Sequence, residues 1–516
     1  MKIILIFAVP VFLFITVNIS AQPKTGKSDS TENAIPGPVQ ILTHHSIMID
    51  GKEIKYCATS GTFILKNEHD TAIALIGFTA YTKEGETDTE NRPLTFAYNG
   101  GPGSSSIWLH MGALGPKHVV LDDPNTVPPA PYKTENNNYS IIDITDLVII
   151  DPVGTGLSKA VGKAKDKDFW GVNEDTKSIS EFIYQYILEN NRLNSPKFLL
   201  GESYGTMRSA GVSDYLLENM GISLNGIIFV STVFDFQTLS FVTGNDLPYI
   251  LFLPTYAAVS WYHKTLPSQP PDMKSFLKEV EDFAQHQYAN ALFNGSANDS
   301  TEINEVIDKL YEFTGISKTY WKNAGLRVSE SQFTAELLRE KGETVGRLDS
   351  RYTGPANDLL SEYSDFDPQS SAISSAFSTT FLEYLHNDLN FPANQTYHID
   401  AYHDEEFNWN WNRNTNGRVS PFQNTSVSTD LADAMSKNPY LNVLMLNGYF
   451  DLATPFFATE YTMNHLGNNI PNLKERVRMV YFNAGHMMYI NNECLPQFKS
   501  GIADFISEMS KPQKVK

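Results

Sequence analysis

The hydrophobic residues in the first part of the chain alternate with polar ones. Two segments, 40–49 and 53–66, show this period of two, which is typical of strands with one buried face, and a third strand-like segment follows at 72–83. Turn-forming residues separate the segments, so each strand can fold back on the one before it. The pattern therefore predicts that the three strands pair antiparallel at the start of a larger sheet.

Shorter and almost wholly apolar runs follow, and such runs are typical of strands buried on both faces of a parallel sheet. These runs are Leu94–Tyr98, Leu147–Ile150, Phe198–Leu200, Ile227–Val230, Val443–Leu446 and Val477–Phe482. Apolar residues at helical spacing occur in Val172–Asn190, Met207–Glu218 and Leu495–Met509. The alternation predicts an α/β fold, with a mostly parallel central sheet and helices on both faces.

The sheet pattern is interrupted between residues 235 and 440. This block is rich in proline, aromatic and acidic residues, and it carries helical patterns at Met273–Gln287 and Thr301–Phe313. Because strand-like runs resume after it, we interpret the block as a large, mainly helical cap inserted into one folding unit. The core of that unit then consists of residues 37–234 and 441–516.

The N-terminus has the composition of an export signal. In residues 1–21 a lysine precedes an apolar run, and the segment ends on small residues. A retained membrane anchor is the alternative, but the run is short and interrupted. Residues 22–36 are polar and predict a flexible leader. We therefore expect a secreted or periplasmic protein, cleaved near Ala21, with no integral membrane segment in the mature chain.

Composition and charge narrow the possible partners. The 516 residues are 41% hydrophobic and 19% charged, which indicates a folded protein with a large core and excludes a disordered or fibrous chain. Lys and Arg number 39 against 59 Asp and Glu, a formal net charge of −20. A surface this acidic repels phosphate backbones and anionic lipids, so nucleic acid is not an expected partner. Nothing in the pattern indicates an oligomeric state.

The chain has only two cysteines, Cys57 and Cys494. This number excludes a disulfide-dense scaffold and a cysteine metal site. The two thiols could pair in an oxidising compartment, or both could remain free. The sequence leaves both alternatives open, because it does not give the distance between their Cα atoms.

Residues 201–205, Gly-Glu-Ser-Tyr-Gly, fit the G-x-S-x-G pattern of a nucleophile turn. The required context is present, because a strand-like run precedes the motif and a helical pattern follows it. The two glycines are needed because a side chain at either position would crowd the neighbouring strand and helix. An ordinary strand-to-helix turn is the alternative, but the context favours Ser203 as a nucleophile presented at the carboxyl edge of the sheet.

A serine nucleophile needs a base, and the base needs a carboxylate that orients it. In this architecture the chain order is serine, then acid, then histidine. Asp451 and His486 each follow a late strand-like run, so both reach the same sheet edge as Ser203. The other histidines precede the motif or lie in the insertion, except His465, and the glycine turn before His486 favours His486 as the base.

The chemistry also requires an oxyanion hole made of two preorganised N–H donors. The run Asn-Gly-Gly-Pro-Gly at 99–103 follows the first short apolar strand. Its glycines let backbone N–H groups approach a substrate without an intervening side chain. We predict that the N–H groups of Gly101 and Tyr204 form the hole. A simple tight turn is the alternative, but it leaves the position of the run after a buried strand unexplained.

Six sequence blocks together resemble the serine carboxypeptidases, and they occur in the order that this family shows. They are N-G-G-P-G-S-S-S at 99–106, L-G-P at 114–116, D-P-V-G-T-G-L-S at 151–158, G-E-S-Y-G at 201–205, the Asp451 segment and G-H-M at 485–487. The resemblance implies an α/β-hydrolase fold with a helical insertion and a triad of Ser203, Asp451 and His486. It also implies peptide substrates with a free C-terminus, from which one amino acid is released, and no cofactor.

By the same resemblance, Asn99, the N–H of Gly100 and Glu202 hold the terminal carboxylate of the substrate. An amide, a backbone donor and a protonated acid suit that task. The family usually has a second acid where this chain has Ala113. We therefore expect Glu202 to ionise at lower pH than in relatives, unless burial compensates. Arg208 is a candidate second contact, and a salt bridge that holds the insertion onto the sheet is its alternative role.

Two further departures concern cysteines. Ser104 and Thr454 stand where the family usually or often has cysteine, so its usual disulfide framework is absent.

Two other functions remain open. The same triad could act on esters or transfer an acyl group to an acceptor other than water, or the chain could be an inactive hydrolase fold that only binds. The presence of every triad residue argues against an inactive protein.

Overall fold

The computed structural model describes residues 35–121, 127–415, 418–419, 425–467 and 470–511. The expected signal peptide and nearly all of the expected leader lie outside the described residues. Within these ranges, no helix has both the length and the apolar character that a bilayer crossing requires.

Strands form where the sequence alternates or becomes wholly apolar. In chain order they are β1 (Gln40–Ile49), β2 (Lys52–Lys66), β3 (Ala72–Lys83), β4 (Leu94–Tyr98), β5 (Lys117–Val119), β6 (Thr134–Asn136), β7 (Asp146–Ile150), β8 (Lys159–Ala160), β9 (Lys197–Ser203), β10 (Gly226–Thr232), β11 (Glu343–Val345), β12 (Thr353–Pro355), β13 (Asn414–Thr415), β14 (Arg418–Val419), β15 (Asn442–Gly448) and β16 (Val477–Phe482). The strands foreseen from the apolar runs therefore form close to their expected limits.

The α-helices are α1 (Ile107–Leu109), α2 (Val172–Glu189), α3 (Tyr204–Met220), α4 (Leu247–His263), α5 (Met273–Phe283), α6 (Ala289–Asn294), α7 (Ser300–Thr314), α8 (Lys318–Asn323), α9 (Glu330–Glu336), α10 (Pro368–Glu383), α11 (Ser428–Lys437), α12 (Phe456–Asn464), α13 (Leu473–Arg476) and α14 (Leu495–Met509). Turns of π-helix occur at His110–Leu114, Ala284–Tyr288 and Tyr384–Asp388. Turns of 3₁₀-helix occur at Asp166–Phe169, Phe236–Thr238, Gly295–Ala297, Arg339–Lys341 and Met488–Ile490.

The central sheet has the strand order β1-β2-β3-β7-β4-β9-β10-β15-β16, with β8 beside β3. The pairs from β1 to β7 are antiparallel. The remaining pairs, from β7 through β4 and β9 to β16, are parallel. The carboxyl ends of the parallel strands therefore meet at one edge. This topology confirms the mostly parallel sheet and its antiparallel start, and it is the α/β-hydrolase fold that the resemblance implied.

Helices cover both faces of the sheet. Successive residues of a strand point to opposite sides, so both faces of the sheet present apolar side chains to these helices. On one face, Leu200 of β9 packs in the same apolar cluster as Phe505 of α14. On the other face, Leu199 packs in a second cluster with Phe182 of α2 and Met207 of α3. The two-sided burial explains why these strands read as continuous apolar runs.

The chain between β10 and β15 is mainly helical and contains α4 to α11. It has an apolar core of its own, in which Leu253, Leu310 and Trp321 are fully buried. Phe450 and Phe456, which follow β15, belong to the same cluster. A helical insertion is therefore confirmed, and it packs against the loop after β15. Its limits at residues 235 and 440 stay a prediction.

The two cysteines do not pair. Cys57 is half-buried in β2, Cys494 is buried at the start of α14, and both are free thiols. Burial raises the pKa of both thiols, that of Cys494 to about 11. Of the two alternatives that the sequence left open, the structure has the free thiols.

Candidate active site

Strand β9 ends at Ser203, and helix α3 begins at the next residue. Ser203 has φ 58° and ψ −128°, a conformation that residues with a side chain rarely adopt. The glycines permit the turn, because a Cβ on Gly201 would lie 2.2 Å from the carbonyl oxygen of Gly205. The structure therefore contains the strained turn that the motif predicts, and Ser203 lines a cavity at the carboxyl edge of the sheet.

His486 and Asp451 are both buried, and Nδ1 of His486 lies 2.8 Å from Oδ2 of Asp451. The other carboxylate oxygen accepts from the backbone N–H groups of Ala453 at 2.8 Å and Thr454 at 2.9 Å. The hydroxyl of Thr454 also donates to Oδ2 at 2.6 Å. The carboxylate is thus held by several donors, and it favours the proton on Nδ1. This tautomer leaves Nε2 of His486 as the basic nitrogen.

Opposing effects act on the proton affinity of His486. Burial lowers its pKa, but the negative charge and hydrogen bond of Asp451, together with the charge of Glu202, outweigh burial and raise it. The positive charge of Arg347 acts against that rise. The net result is an imidazole whose protonated form is stabilised, as a base that accepts a serine proton requires.

The expected site residues, with one exception, meet at one open cavity of about 310 Å³. The cavity is lined by Asn99, Gly100, Gly101, Glu202, Ser203, Tyr204 and His486. Asp451 lies behind His486. The insertion supplies much of the remaining wall, including Phe236, Leu239, Arg347, Ile373 and Tyr402. The cavity therefore combines core loops that carry polar groups with an insertion wall that carries both apolar and polar side chains.

The glycine loop after β4 packs against the start of α3. A Cβ on Gly100 would lie 2.5 Å from the backbone nitrogen of Tyr204, so only glycine allows this approach. Gly101 has φ +102°, and a Cβ there would lie 2.5 Å from the hydroxyl of Tyr402. Tyr204 opens α3, so its N–H has no acceptor within the helix. The N–H of Gly101 donates to no group among the residues that the structure describes.

Asn99 and Glu202 form a buried polar pair beside Ser203. Nδ2 of Asn99 donates to Oε1 of Glu202 at 2.9 Å, and Oδ1 of Asn99 accepts from the N–H of Leu109 at 2.9 Å. Burial is the main reason why the pKa of Glu202 is raised to about 7. Burial therefore supplies the compensation for which the expectation allowed, and the pKa of Glu202 is not lowered by the absence of an acid at position 113.

Tyr489 is a neighbour of Glu202 that the sequence analysis did not single out. Its ring packs against Gly112, where a Cβ would lie 2.5 Å from a ring carbon. Within the described chain, the Tyr489 hydroxyl and Oε2 of Glu202 are both buried. Burial first, and then the charge of Glu202 and a hydrogen bond with it, raise the pKa of Tyr489. Tyr489, Glu202 and Asn99 therefore form one buried polar cluster.

Arg208 is the exception, because its side chain does not line the cavity. Its guanidinium is buried, with Nε 2.8 Å from Oδ2 of Asp175 and Nη1 2.6 Å from the carbonyl oxygen of Asn99. The rings of Tyr98 and Tyr204 flank it. The candidate role in binding a substrate carboxylate is therefore not supported. The alternative role, a salt bridge that holds the insertion onto the sheet, also needs correction. Asp175 belongs to α2, so the salt bridge of Arg208 joins two helices of the core, α2 and α3.

A segment of the insertion, residues 346–352, touches both loops that carry the histidine and the acid. We call it the brace segment. Its carbonyl groups accept from the backbone N–H of His486 at 2.7 Å and from that of Leu452 at 3.0 Å. The carboxylate of Asp349 accepts from the N–H of Gly485 at 3.1 Å. These bonds fix the positions of the two loops relative to each other.

Sequence reasoning missed the brace segment. The available signal is the run Arg-Leu-Asp-Ser-Arg at 347–351, in which Arg351 and Asp349 form a buried ion pair at 2.6 Å. Closely spaced opposite charges can indicate such a pair. They do not indicate which distant loop the pair supports, and Gly485 lies 136 positions further along the chain.

Comparison with known proteins identifies the family. The model of the serine carboxypeptidase family matches residues 78–489, so the chain belongs to the serine carboxypeptidases. The vitellogenic carboxypeptidase of Aedes aegypti is 30% identical over 124 residues, which span 23% of this chain and 24% of that protein. The matched part is therefore about a quarter of the relative.

Two solved structures are similar to this chain. A prohormone-processing carboxypeptidase from Saccharomyces cerevisiae aligns with 18% identity and a TM-score of 0.49, covering 88% of this chain and 91% of that one. The proline iminopeptidase of Mycobacterium smegmatis aligns with 13% identity and a TM-score of 0.37, covering 87% of this chain and 98% of that one. The family assignment rests on the match over residues 78–489.

The structural role of Arg208 can be tested by stability. We expect Arg208→Met to lower the free energy of unfolding by about 3–5 kcal/mol, because it leaves Asp175 buried without its counter-charge. Chemical denaturation measures the change. Lys177→Met is the matched control, since Lys177 pairs with Glu181 on the surface and its loss should cost about 0–1 kcal/mol. Equal stability of the two variants would show that Arg208 is not a structural ion-pair residue.

Proposed function

We propose that this chain is a carboxypeptidase that releases the C-terminal amino acid of a peptide through an acyl-enzyme on Ser203. One observation carries the proposal. Ser203, on its strained turn, shares a single cavity with His486, which is paired to Asp451, and with the buried pair of Asn99 and Glu202. The histidine supplies a base, and the buried pair can recognise a free carboxylate. Membership of the serine carboxypeptidase family agrees with this assignment.

In the proposed reaction, Oγ of Ser203 attacks the carbonyl carbon of the last peptide bond while Nε2 of His486 takes its proton. Asp451 keeps the imidazole oriented and stabilises its protonated form. The N–H groups of Gly101 and Tyr204 donate to the developing oxyanion. His486 then gives its proton to the leaving nitrogen. Water, activated by the same base, releases the shortened peptide from the serine.

Recognition of the terminal carboxylate is assigned to three groups. The second N–H of the Asn99 amide and the backbone N–H of Gly100 donate to it, and protonated Glu202 supplies the third donor. An ionised Glu202 would instead repel the carboxylate, since like charges at short range are costly in a buried site. Because the pKa of Glu202 is raised to about 7, the donor form is available at neutral and lower pH.

Two alternatives are weaker. The triad geometry would equally serve an esterase or an acyltransferase, but such enzymes do not need the buried pair of Asn99 and Glu202. An inactive binding protein has no need of the strained conformation at Ser203, which costs stability.

We also propose that the protein is secreted or periplasmic. This part of the proposal rests on residues 1–21, which lie outside the described residues.

The nucleophile is tested by Ser203→Ala. We expect this variant to lose labelling by a fluorophosphonate and to lose peptide turnover, while its thermal unfolding stays close to that of the wild type. Short peptides with free or amidated C-termini, read by mass, define the activity. Loss of one residue from the free-acid peptides supports a carboxypeptidase. Turnover of esters alone, or labelling of a different serine, would contradict the proposal.

The role of Glu202 predicts a pH dependence. As the pH rises through about 7, Glu202 loses its proton, so KM for free-acid peptides should rise, by about tenfold for each pH unit above the pKa. Glu202→Gln keeps a neutral donor and should give a KM that does not change with pH. Steady-state kinetics from about pH 5 to about pH 9 measure both.

A matched control exists for Glu202. Burial also raises the pKa of Glu281 to about 7, but Glu281 lies in α5 and does not line the cavity. Glu281→Gln should therefore leave the pH dependence of KM as it is in the wild type. A wild-type KM that is flat across neutral pH would remove Glu202 from the carboxylate site.

A further inference from the structure

The cavity wall contains a positive charge that the proposed reaction does not use. Among the described residues that line the cavity, Arg347 is the one lysine or arginine, and it is exposed. The carboxylates of Glu202 and Asp400 line the same cavity. Acidic residues outnumber basic ones in this chain, 59 against 39, so composition does not favour a cation at this place.

The backbone at Arg347 is fixed on both sides. Oδ2 of Asp367 accepts from the N–H of Arg347 at 2.7 Å and from that of Leu348 at 3.0 Å. The carbonyl of Arg347 accepts from the N–H of Leu452 at 3.0 Å. The backbone of Arg347 is therefore held in a fixed position beside the loops of Asp451 and His486. Only the side-chain torsion angles of Arg347 remain free to change.

The guanidinium of Arg347 makes no salt bridge and no hydrogen bond with any residue in the described ranges. The nearby Arg351 differs, because it is buried against Asp349. The charge of Arg347 is nevertheless felt in the cavity. Burial raises the pKa of Tyr402, which lines the cavity, and the charge of Arg347 opposes that rise. A cation that keeps its hydrogen-bond donors free in a substrate cavity is suited to bind an anionic group.

The position of this charge separates it from the carboxylate site. Arg347 precedes Leu348, whose carbonyl oxygen accepts from the backbone N–H of His486 at 2.7 Å, and it lines the cavity together with Tyr402, whose hydroxyl lies beside Gly101. The charges that act most strongly on Glu202 are those of His486 and Asp451. Arg347 therefore belongs to the part of the wall around the scissile bond. In the proposed function, the terminal carboxylate of the substrate binds at Asn99 and Glu202.

We propose that Arg347 forms an ion pair with an acidic side chain of the substrate, in one of the two residues that flank the scissile bond. Peptides with glutamate or aspartate at that position are then the preferred substrate class. The inference rests on the proposed function, since it requires a peptide in this cavity. A planar guanidinium binds a carboxylate through two parallel hydrogen bonds, which gives selectivity against the isosteric amide of glutamine.

The test uses two series of N-blocked dipeptides assayed with the full-length protein. One series varies the C-terminal residue among Glu, Gln and Lys, and the other varies the preceding residue in the same way. We expect the wild type to favour Glu over Gln by about tenfold in kcat/KM in one series, mainly through KM. Arg347→Gln should remove this preference. Arg347→Glu should reverse it, so that the Lys peptide becomes the best of the three.

The control variant is Arg478→Gln, because Arg478 pairs with Glu508 on the surface and does not line the cavity. It should keep the wild-type preference. A wild type that cleaves Gln peptides as well as Glu peptides overturns the role of Arg347 and leaves the carboxypeptidase intact. Equal losses on Glu and Gln peptides in Arg347→Gln would assign Arg347 to the terminal carboxylate and also overturn the proposal. A wild type that releases no residue from any peptide refutes the proposed function itself.

Discussion

The contact between Gly100 and the first turn of α3 is the constraint on which the candidate site depends. Strands β4 and β9 are neighbours, with Tyr98 opposite Gly201, so the segments that leave them must pass within contact distance. Since Gly100 has no side chain, the glycine loop reaches the backbone of Tyr204. Ser203, the proposed oxyanion donors and the pair of Asn99 and Glu202 therefore lie in one cavity. A larger residue at this contact would separate groups whose chemistry requires proximity.

Burial then determines how these groups behave. A carboxyl in water is ionised well below neutral pH, whereas the pKa of Glu202 is raised to about 7 because its surroundings solvate the charge poorly. The same low polarity strengthens the attraction between His486 and Asp451. Beneath the site, Arg208 donates to the carbonyl of Asn99 while its charge is balanced by Asp175. A core ion pair thus supports the loop that carries the substrate-facing amide.

Much of the fold follows from local patterns. Strand limits could be foreseen because two-sided burial demands continuous apolar runs, and the turn at Ser203 because the glycine spacing leaves few other conformations. Three features could not be foreseen from the sequence. They are the direction of the Arg208 side chain, the proton affinity of Glu202 and the position of Arg347. Each of these depends on what distant segments bring to the residue. The triad roles and the limits of the insertion stay predictions, since geometry alone does not establish catalysis.

The brace segment affects the stage of folding at which the candidate site forms. Helix α3 and the turn at Ser203 arise from neighbouring residues, whereas Asp349 and Gly485 must find each other across 136 positions. Contacts of such long range form late, because the loop between them must first be ordered. A growing chain therefore carries its proposed nucleophile long before the proposed base is docked. On the proposed mechanism, the chain therefore has no working triad until nearly all of its residues have folded.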